Sequence, residues 1–119
     1  MGFTSAQRYY LSREAADMRK SYDGLSGLVR QGLGRDPLSG EVFIFLNRRR
    51  TMIKILVWDR SGFVIWSKRL ERGTFELPRS TEAGASVALR WEELVMILEG
   101  VSLGSIQRRK RYSREKAAA

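Results

Sequence analysis

The sequence predicts an α+β fold, a four-stranded antiparallel β-meander with two helices packed on one face. Three observations carry that expectation. Between Glu41 and Leu70 lie three short apolar runs, Val42–Leu46, Met52–Trp58 and Phe63–Trp66, rich in the β-branched and aromatic residues that suit a pleated surface. Only two short links, Asn47–Thr51 and Asp59–Gly62, join them. Links that short force antiparallel neighbours, because a parallel pair needs a crossover of about a dozen residues. Helical periodicity on either side of this block supplies the two helices. The alternative architecture is a small, partly closed β-barrel with appended helices.

Taken in order, residues 1–8 form a loose start, and Tyr9-Tyr10-Leu11 is able to add a short strand. Ser12 is a candidate N-cap. Apolar positions follow at Ala15, Met18, Tyr22, Leu25 and Val29, on one helix face. The spacing leaves the helix start open between Arg13 and Asp17. Gly24 and Gly27 lie inside this helix at about 1 kcal/mol each relative to Ala, a cost to be offset by close approach to the sheet. Gly32 and Gly34 end it. Asp36-Pro37-Leu38-Ser39-Gly40 is a turn cluster.

Within the meander, Gly62 stands where a three-residue hairpin loop needs a left-handed residue. Pairing Asp59 with Phe63 then sets Lys54 opposite Lys68, Leu56 opposite Trp66 and Trp58 opposite Val64, with Ile53, Ile55, Val57, Phe63 and Ile65 on the other face. A one-residue slip would exchange the two sets. Glu71-Arg72-Gly73 is a third turn, and Thr74–Leu77 a fourth strand stopped by Pro78. Residues 79–86 are a polar loop, and Val87-Ala88-Leu89 touches the sheet edge. Trp91, Leu94, Val95 and Leu98 trace the second helix, with Glu92 and Glu93 in its first turn and Gly100 as its stop. Residues 105–119 lack apolar periodicity and read as a basic C-terminal tail without fixed structure. The expected organisation is therefore one α+β domain over residues 1–104, followed by the tail.

Composition narrows the chemistry. The 119 residues contain no Cys and no His. That removes disulfides, thiol nucleophiles, histidine general bases and nearly all zinc sites. No apolar run approaches the roughly 18 residues of a membrane span, and no signal-peptide core is present. Lys and Arg total 22 against 13 Asp and Glu, a net charge of +9. Residues 41–72 hold eight basic and three acidic residues, and residues 105–119 hold six and one. The other 72 residues carry about −1 by difference. Positive charge concentrated in two places points to a polyanionic partner, nucleic acid before others.

The run Asp17-Met18-Arg19-Lys20-Ser21-Tyr22-Asp23-Gly24-Leu25 resembles the accessory protein, often called TnpB or Orf2-like, of the insertion-sequence family numbered sixty-six. This is not the RNA-guided nuclease that shares that letter name. The resemblance continues through Asp36–Gly40, Phe43-Ile44-Phe45, Arg48-Arg49-Arg50, Lys54–Asp59, the Gly62 turn, Lys68–Gly73, Leu98-Glu99-Gly100 and Arg108–Tyr112. It covers roughly residues 9–112. No single motif is decisive, and the ordered set is specific. One departure is Ala16, where the family usually has a hydroxyl residue. The resemblance implies a bacterial mobile-element protein working in the cytoplasm beside a separate, larger transposase, with no catalytic residues to carry over.

Candidate sites follow from charge. Arg48, Arg49 and Arg50 on a hairpin tip suit phosphate contact, since each guanidinium is a planar multi-donor fork; a merely solvated loop is the plain alternative. Lys54, Lys68, Trp58 and Trp66 would share one face in the expected register and resemble a single-strand stacking platform. Against that, large aromatics are mostly core, and the face also suits protein docking. Arg69 extends the basic set. In the tail, Arg108, Arg109, Lys110 and Arg111 suit sequence-independent phosphate binding. Arg19 and Lys20 are able to reach a phosphate or to pair with Asp17 and Asp23.

No cofactor, metal, small-molecule substrate or membrane is expected. The carboxylates lack metal spacing, and Gly24-Leu25-Ser26-Gly27 and Gly32-Leu33-Gly34 do not make a phosphate loop. The expected function is a non-catalytic accessory of transposition. It would bind DNA, the element's ends included, and assist its transposase. The alternatives are a subunit that docks on the transposase without binding DNA, and an RNA-binding regulator of the element's expression.

Overall fold

The structure is a computed structural model that describes residues 3–80 and 83–99. The tail from 105 onward, with Arg108, Arg109, Lys110 and Arg111, and the Gly100 stop lie outside the described residues. Five strands form one open, mixed sheet: β1 (Tyr9–Ser12), β2 (Val42–Leu46), β3 (Met52–Asp59), β4 (Gly62–Arg69) and β5 (Ser86–Leu89), ordered β4-β3-β2-β1-β5. The antiparallel meander of β2, β3 and β4 stands as expected. Tyr9-Tyr10-Leu11 adds a strand and Val87-Ala88-Leu89 lies at the sheet edge, as expected, but the sheet has five strands and is mixed, not four-stranded and antiparallel. β1 inserts between β2 and β5, parallel to β2, with Tyr9 opposite Val42 and Leu11 opposite Ile44. The link from β1 to β2 is long enough for a parallel crossover and carries the first helix. The sheet is not closed, so the barrel alternative falls away.

Thr74–Leu77 is not a strand. Phe75 is 1% exposed in the cluster on the second helix's side of the sheet and donates its N–H to the Arg50 carbonyl at 2.7 Å. Phe75 fills a core position without a ladder, and Leu77 packs against the same cluster.

The first helix, α1 (Tyr22–Gly27), continues as a wider π-helical turn over Leu28–Gly32. It begins later than either expected start because the upstream backbone groups are already engaged. Ala16 N–H donates to the Leu46 carbonyl at 2.8 Å, and the Asp17 carboxylate accepts the Arg19 N–H at 2.9 Å. A short acidic side chain that captures nearby backbone donors competes with helix. Ser12 closes β1 instead of capping a helix. Within α1, a Cβ on Gly24 would come 3.0 Å from the Lys20 Cβ, while Gly27 has open space around it. Neither glycine permits a close helix–sheet approach, contrary to the expectation. Tyr22 faces solvent, 48% exposed, and the contact to the sheet runs through Leu25 of α1, Leu28 and Val29 of the widened turn and Leu33 after it.

The two helices lie on opposite faces of the sheet, not on one. Leu25 and Val29 pack with Phe43, Phe45 and Leu56 on one side. Leu94 and Ile97 of α2 (Trp91–Leu98) pack with Val42, Ile44, Leu46, Ile53, Ile55 and Val57 on the other. The register of β3 and β4 differs by one residue from the expected one. Asp59 pairs with Gly62, which places Lys54 opposite Ser67, Leu56 opposite Ile65, Trp58 opposite Phe63 and Ile53 opposite Lys68. The loop has two residues, and its left-handed position is Arg60, φ +53°, not Gly62. A one-residue slip moves every β4 side chain to the other face. Phe63 and Ile65 therefore pack on the α1 side and Val64 on the α2 side.

At one end of the sheet an ion pair ties the 33–41 connection to β1. The Arg35 guanidinium donates to both Glu41 carboxylate oxygens, at 3.1 and 3.0 Å, and lies 3.8 Å from the Tyr10 ring centre. The hydrogen bonds from Arg35 hold the Glu41 carboxyl below its ordinary range. Its contribution to stability is therefore present above the ordinary carboxylate range and lost as pH falls through the folded value. Glu41→Gln is expected to lower stability at neutral pH by about 1 kcal/mol, a figure discounted for the partial exposure of Arg35. Denaturant melts of both proteins at several pH values should show that difference shrinking towards zero in acid.

Candidate nucleic-acid interface

Strand direction sorts the charges. β2 ends, β3 begins and β4 ends at the same edge of the molecule. β1, parallel to β2, ends there too. This end gathers Arg13 after β1, Arg48, Arg49 and Arg50 between β2 and β3, and Arg69 and Arg72 after β4. Glu14, Asp17, Glu71 and Glu76 are the carboxylates beside them, with Asp17 paired to Arg19. The opposite end carries Arg8, Arg35, Arg60 and Arg90 against Asp36, Glu41, Asp59, Glu92 and Glu93. One end is thus strongly basic and the other nearly neutral.

The arginine tip is built to hold its shape. The Asn47 side chain accepts the N–H groups of Thr51 and Met52 at 2.8 and 3.0 Å and donates to the Thr51 hydroxyl at 3.0 Å. Arg50 N–H donates to the Asn47 carbonyl at 3.0 Å. Behind the tip, Leu70 N–H donates to the Thr51 carbonyl at 2.8 Å. Arg50 adopts φ +59°, a left-handed conformation that strains any residue with a Cβ. All three arginine side chains are exposed, and among the described residues none has an ion-pair or hydrogen-bond partner. Between this tip and the end of β1 lies a cavity of about 130 Å³, walled by Ser12, Arg13, Asn47, Arg48, Arg50 and Leu77.

The other candidates stand differently. Lys54 Nζ donates to the Lys20 carbonyl at 2.8 Å, and Lys68 Nζ donates to the Leu98 carbonyl at 2.9 Å at the end of α2. They occupy opposite faces of the sheet, so the co-facial stacking platform does not exist. Trp58 packs edge-to-face on Phe63, with centroids 5.1 Å apart, on the α1 side. Trp66 falls on the α2 side, 37% exposed. Arg69 makes a long contact of 3.4 Å to Glu71, both well exposed. Arg19 pairs with Asp17, its guanidinium 2.7 Å from the carboxylate. That contact and the Arg19 N–H lower the Asp17 pKa to about 2. Lys20 is exposed beside them.

Sequence reasoning missed Arg13, which chain order separates widely from the tip. Only the parallel pairing of β1 with β2 brings it there. Arg72 belongs to the basic block but was not singled out. Among the described residues no three acidic, histidine or cysteine side chains group to hold a metal ion, and no helix is long and apolar enough to cross a membrane.

A small α+β protein with one basic sheet end is the class defined by this geometry. Residues 7–108 match the family described as IS66 Orf2 like protein, and the chain belongs to that family, one of insertion-sequence-associated accessory proteins. Two Sinorhizobium fredii proteins are similar to it. Uncharacterized protein y4jC is 27% identical over 109 residues, 92% of each chain. Uncharacterized protein y4hO is 33% identical over 94 residues, 79% of this chain and 80% of its own. No solved structure matches the chain significantly.

The strain at Arg50 has a direct consequence. Arg50→Gly is expected to raise stability by about 0.5 kcal/mol, because relief of the left-handed strain outweighs the added freedom of the unfolded chain. Thermal unfolding of the two proteins checks this.

Proposed function

We propose that the protein is a non-catalytic accessory of insertion-sequence transposition that binds DNA through phosphate contacts and assists a separate transposase in the bacterial cytoplasm. One observation carries this reading: three exposed arginine side chains, with no protein partner among the described residues, stand on a tip whose backbone is fixed by Asn47. A rigid, strained loop that displays guanidinium groups costs stability. Phosphate recognition gives that cost a purpose, since each fork is able to grip two oxygens. Arg13, Arg69 and Arg72 widen the surface. Strands about 4.8 Å apart place the row from β1 to β4 over about 14 Å, the reach of about two or three successive phosphates.

Such contacts fix position without reading sequence. The element's ends are then recognised by the transposase or by the added avidity of both proteins on one site. The tail arginines Arg108, Arg109 and Arg111, with Lys110, add non-specific affinity to the folded region in this reading. Lys54, Lys68 and Arg19 contribute through the local field, since their nearest partners are within the protein, and Lys20 is exposed beside them.

The test is fluorescence anisotropy on a duplex carrying the element's terminal repeat and on a scrambled duplex, at several salt concentrations. The full chain should bind both alike, with log K falling linearly in log salt. Replacing Arg48, Arg49 and Arg50 together with Ala should lower the magnitude of that slope by about 2 to 3. An unchanged slope would place the contacts elsewhere. Absence of binding at about 50 mM salt would overturn DNA binding altogether.

A further inference from the structure

β4 is an outer strand of the sheet, eight residues long, with β3 on one side and, among the described residues, no strand on the other. Its ladder with β3 runs unbroken from Met52 opposite Arg69 to Asp59 opposite Gly62, so no bulge bends the free edge away. The Leu70 N–H bond to the Thr51 carbonyl fixes the alternation of that ladder. Val64, Trp66 and Lys68 therefore bond inward to β3, and Phe63, Ile65, Ser67 and Arg69 turn their backbone donors and acceptors outward. Edges of this kind are normally blunted by proline, a bulge or a charge within the strand. From Gly62 to Ser67, β4 carries none of these. Phe63, Val64 and Ile65 are half-buried, and Trp66 is exposed.

Cations bracket this apolar middle. Arg60 lies beyond one end and Lys68 and Arg69 lie at the other, all exposed. The neighbouring carboxylates are Asp59 and Glu71, and Glu71 already faces Arg69. We propose that this edge binds an extended segment of a partner protein as a sixth strand, one with alternating apolar residues at its centre and carboxylates at both ends. The backbone supplies the hydrogen bonds, the apolar alternation packs against Phe63 and Ile65 on one face and Val64 and Trp66 on the other, and the flanking cations select an acidic segment. A second copy fits poorly. The Lys68–Arg69 end is positive and Asp59 offsets Arg60 at the other, so parallel self-pairing sets Lys68 and Arg69 opposite their own copies and antiparallel self-pairing gains no charge complementarity.

The probe is a synthetic peptide of about ten residues, alternating Val and Thr with two Glu at each end, and its counterpart with Lys in place of Glu. The full chain is titrated with each, and amide hydrogen exchange is followed at Ile65 and Ser67. The Glu peptide should bind and slow exchange at both amides about tenfold, and the Lys peptide should bind about tenfold more weakly. Ser67→Pro removes an outward N–H at an exposed edge position where proline is tolerated. It should abolish peptide binding while thermal unfolding stays cooperative and DNA binding stays intact.

Three outcomes overturn the proposal. One is equal binding of the two peptides, or none at about millimolar concentration. Another is Ile65 and Ser67 amides already protected in the dilute free protein, and the third is protection that rises with protein concentration alone. None of these touches the DNA reading.

Discussion

Five successive side chains of β2, Val42 to Leu46, are almost wholly withdrawn from water, and the architecture follows from that constraint. In a strand, neighbouring side chains point to opposite faces. A strand buried at every position therefore needs a layer on each face of its sheet. α1 and the π-helical turn cover Phe43 and Phe45, and α2 with Phe75 covers Val42, Ile44 and Leu46. The strand also needs a neighbour on each side, which places it inside the sheet between β1 and β3. With the chain before β2 already committed to a helix, β1 pairs in parallel across it.

That parallel pairing sets the polarity of the molecule. It brings the end of β1 to the same edge as the β2–β3 tip, so Arg13 joins Arg48, Arg49 and Arg50. The antiparallel return of β4 adds Arg69 and Arg72. At the other end the Arg35–Glu41 and Arg90–Glu93 pairs balance the charge, and Arg35 with Glu41 holds the crossover. Positive charge is thus focused where a rigid tip displays it and balanced elsewhere. Such an arrangement steers a polyanion to one orientation. The β4 edge runs from the nearly neutral end to the basic end. A partner strand laid along it would lie next to bound DNA, which is the geometry a bridging accessory requires.

Much of this was legible in the sequence, for identifiable reasons. β2 and the starts of β3 and α2 were placed because β-branched runs and the spacing of Trp91, Leu94 and Leu98 are local signals. The arginine tip was found because three like charges beside Asn47 interrupt two apolar runs. The helix faces were not legible. The two helices were expected on one face, though the continuous run Val42–Leu46 is what burial on both faces produces. The β4 register failed because Gly62 attracted the left-handed position that Arg60 takes. Lys54 and Lys68 were consequently placed on one face instead of two. The delayed start of α1 depended on a tertiary bond, Ala16 N–H to the Leu46 carbonyl, that no local pattern announces. Arg13 was missed for the same kind of reason.

The central claim is that phosphate meets the arginine-rich end of the sheet. Its most direct measurement is the map of backbone amide shifts in NMR spectra as a short duplex is added to the full chain. The account predicts perturbations concentrated at Arg13, Asn47–Thr51 and Arg69–Gly73, with the region around Glu41, Asp59 and Arg90 silent. Perturbations centred on Trp66 and Trp58, or at the Arg35–Glu41 end, would contradict it.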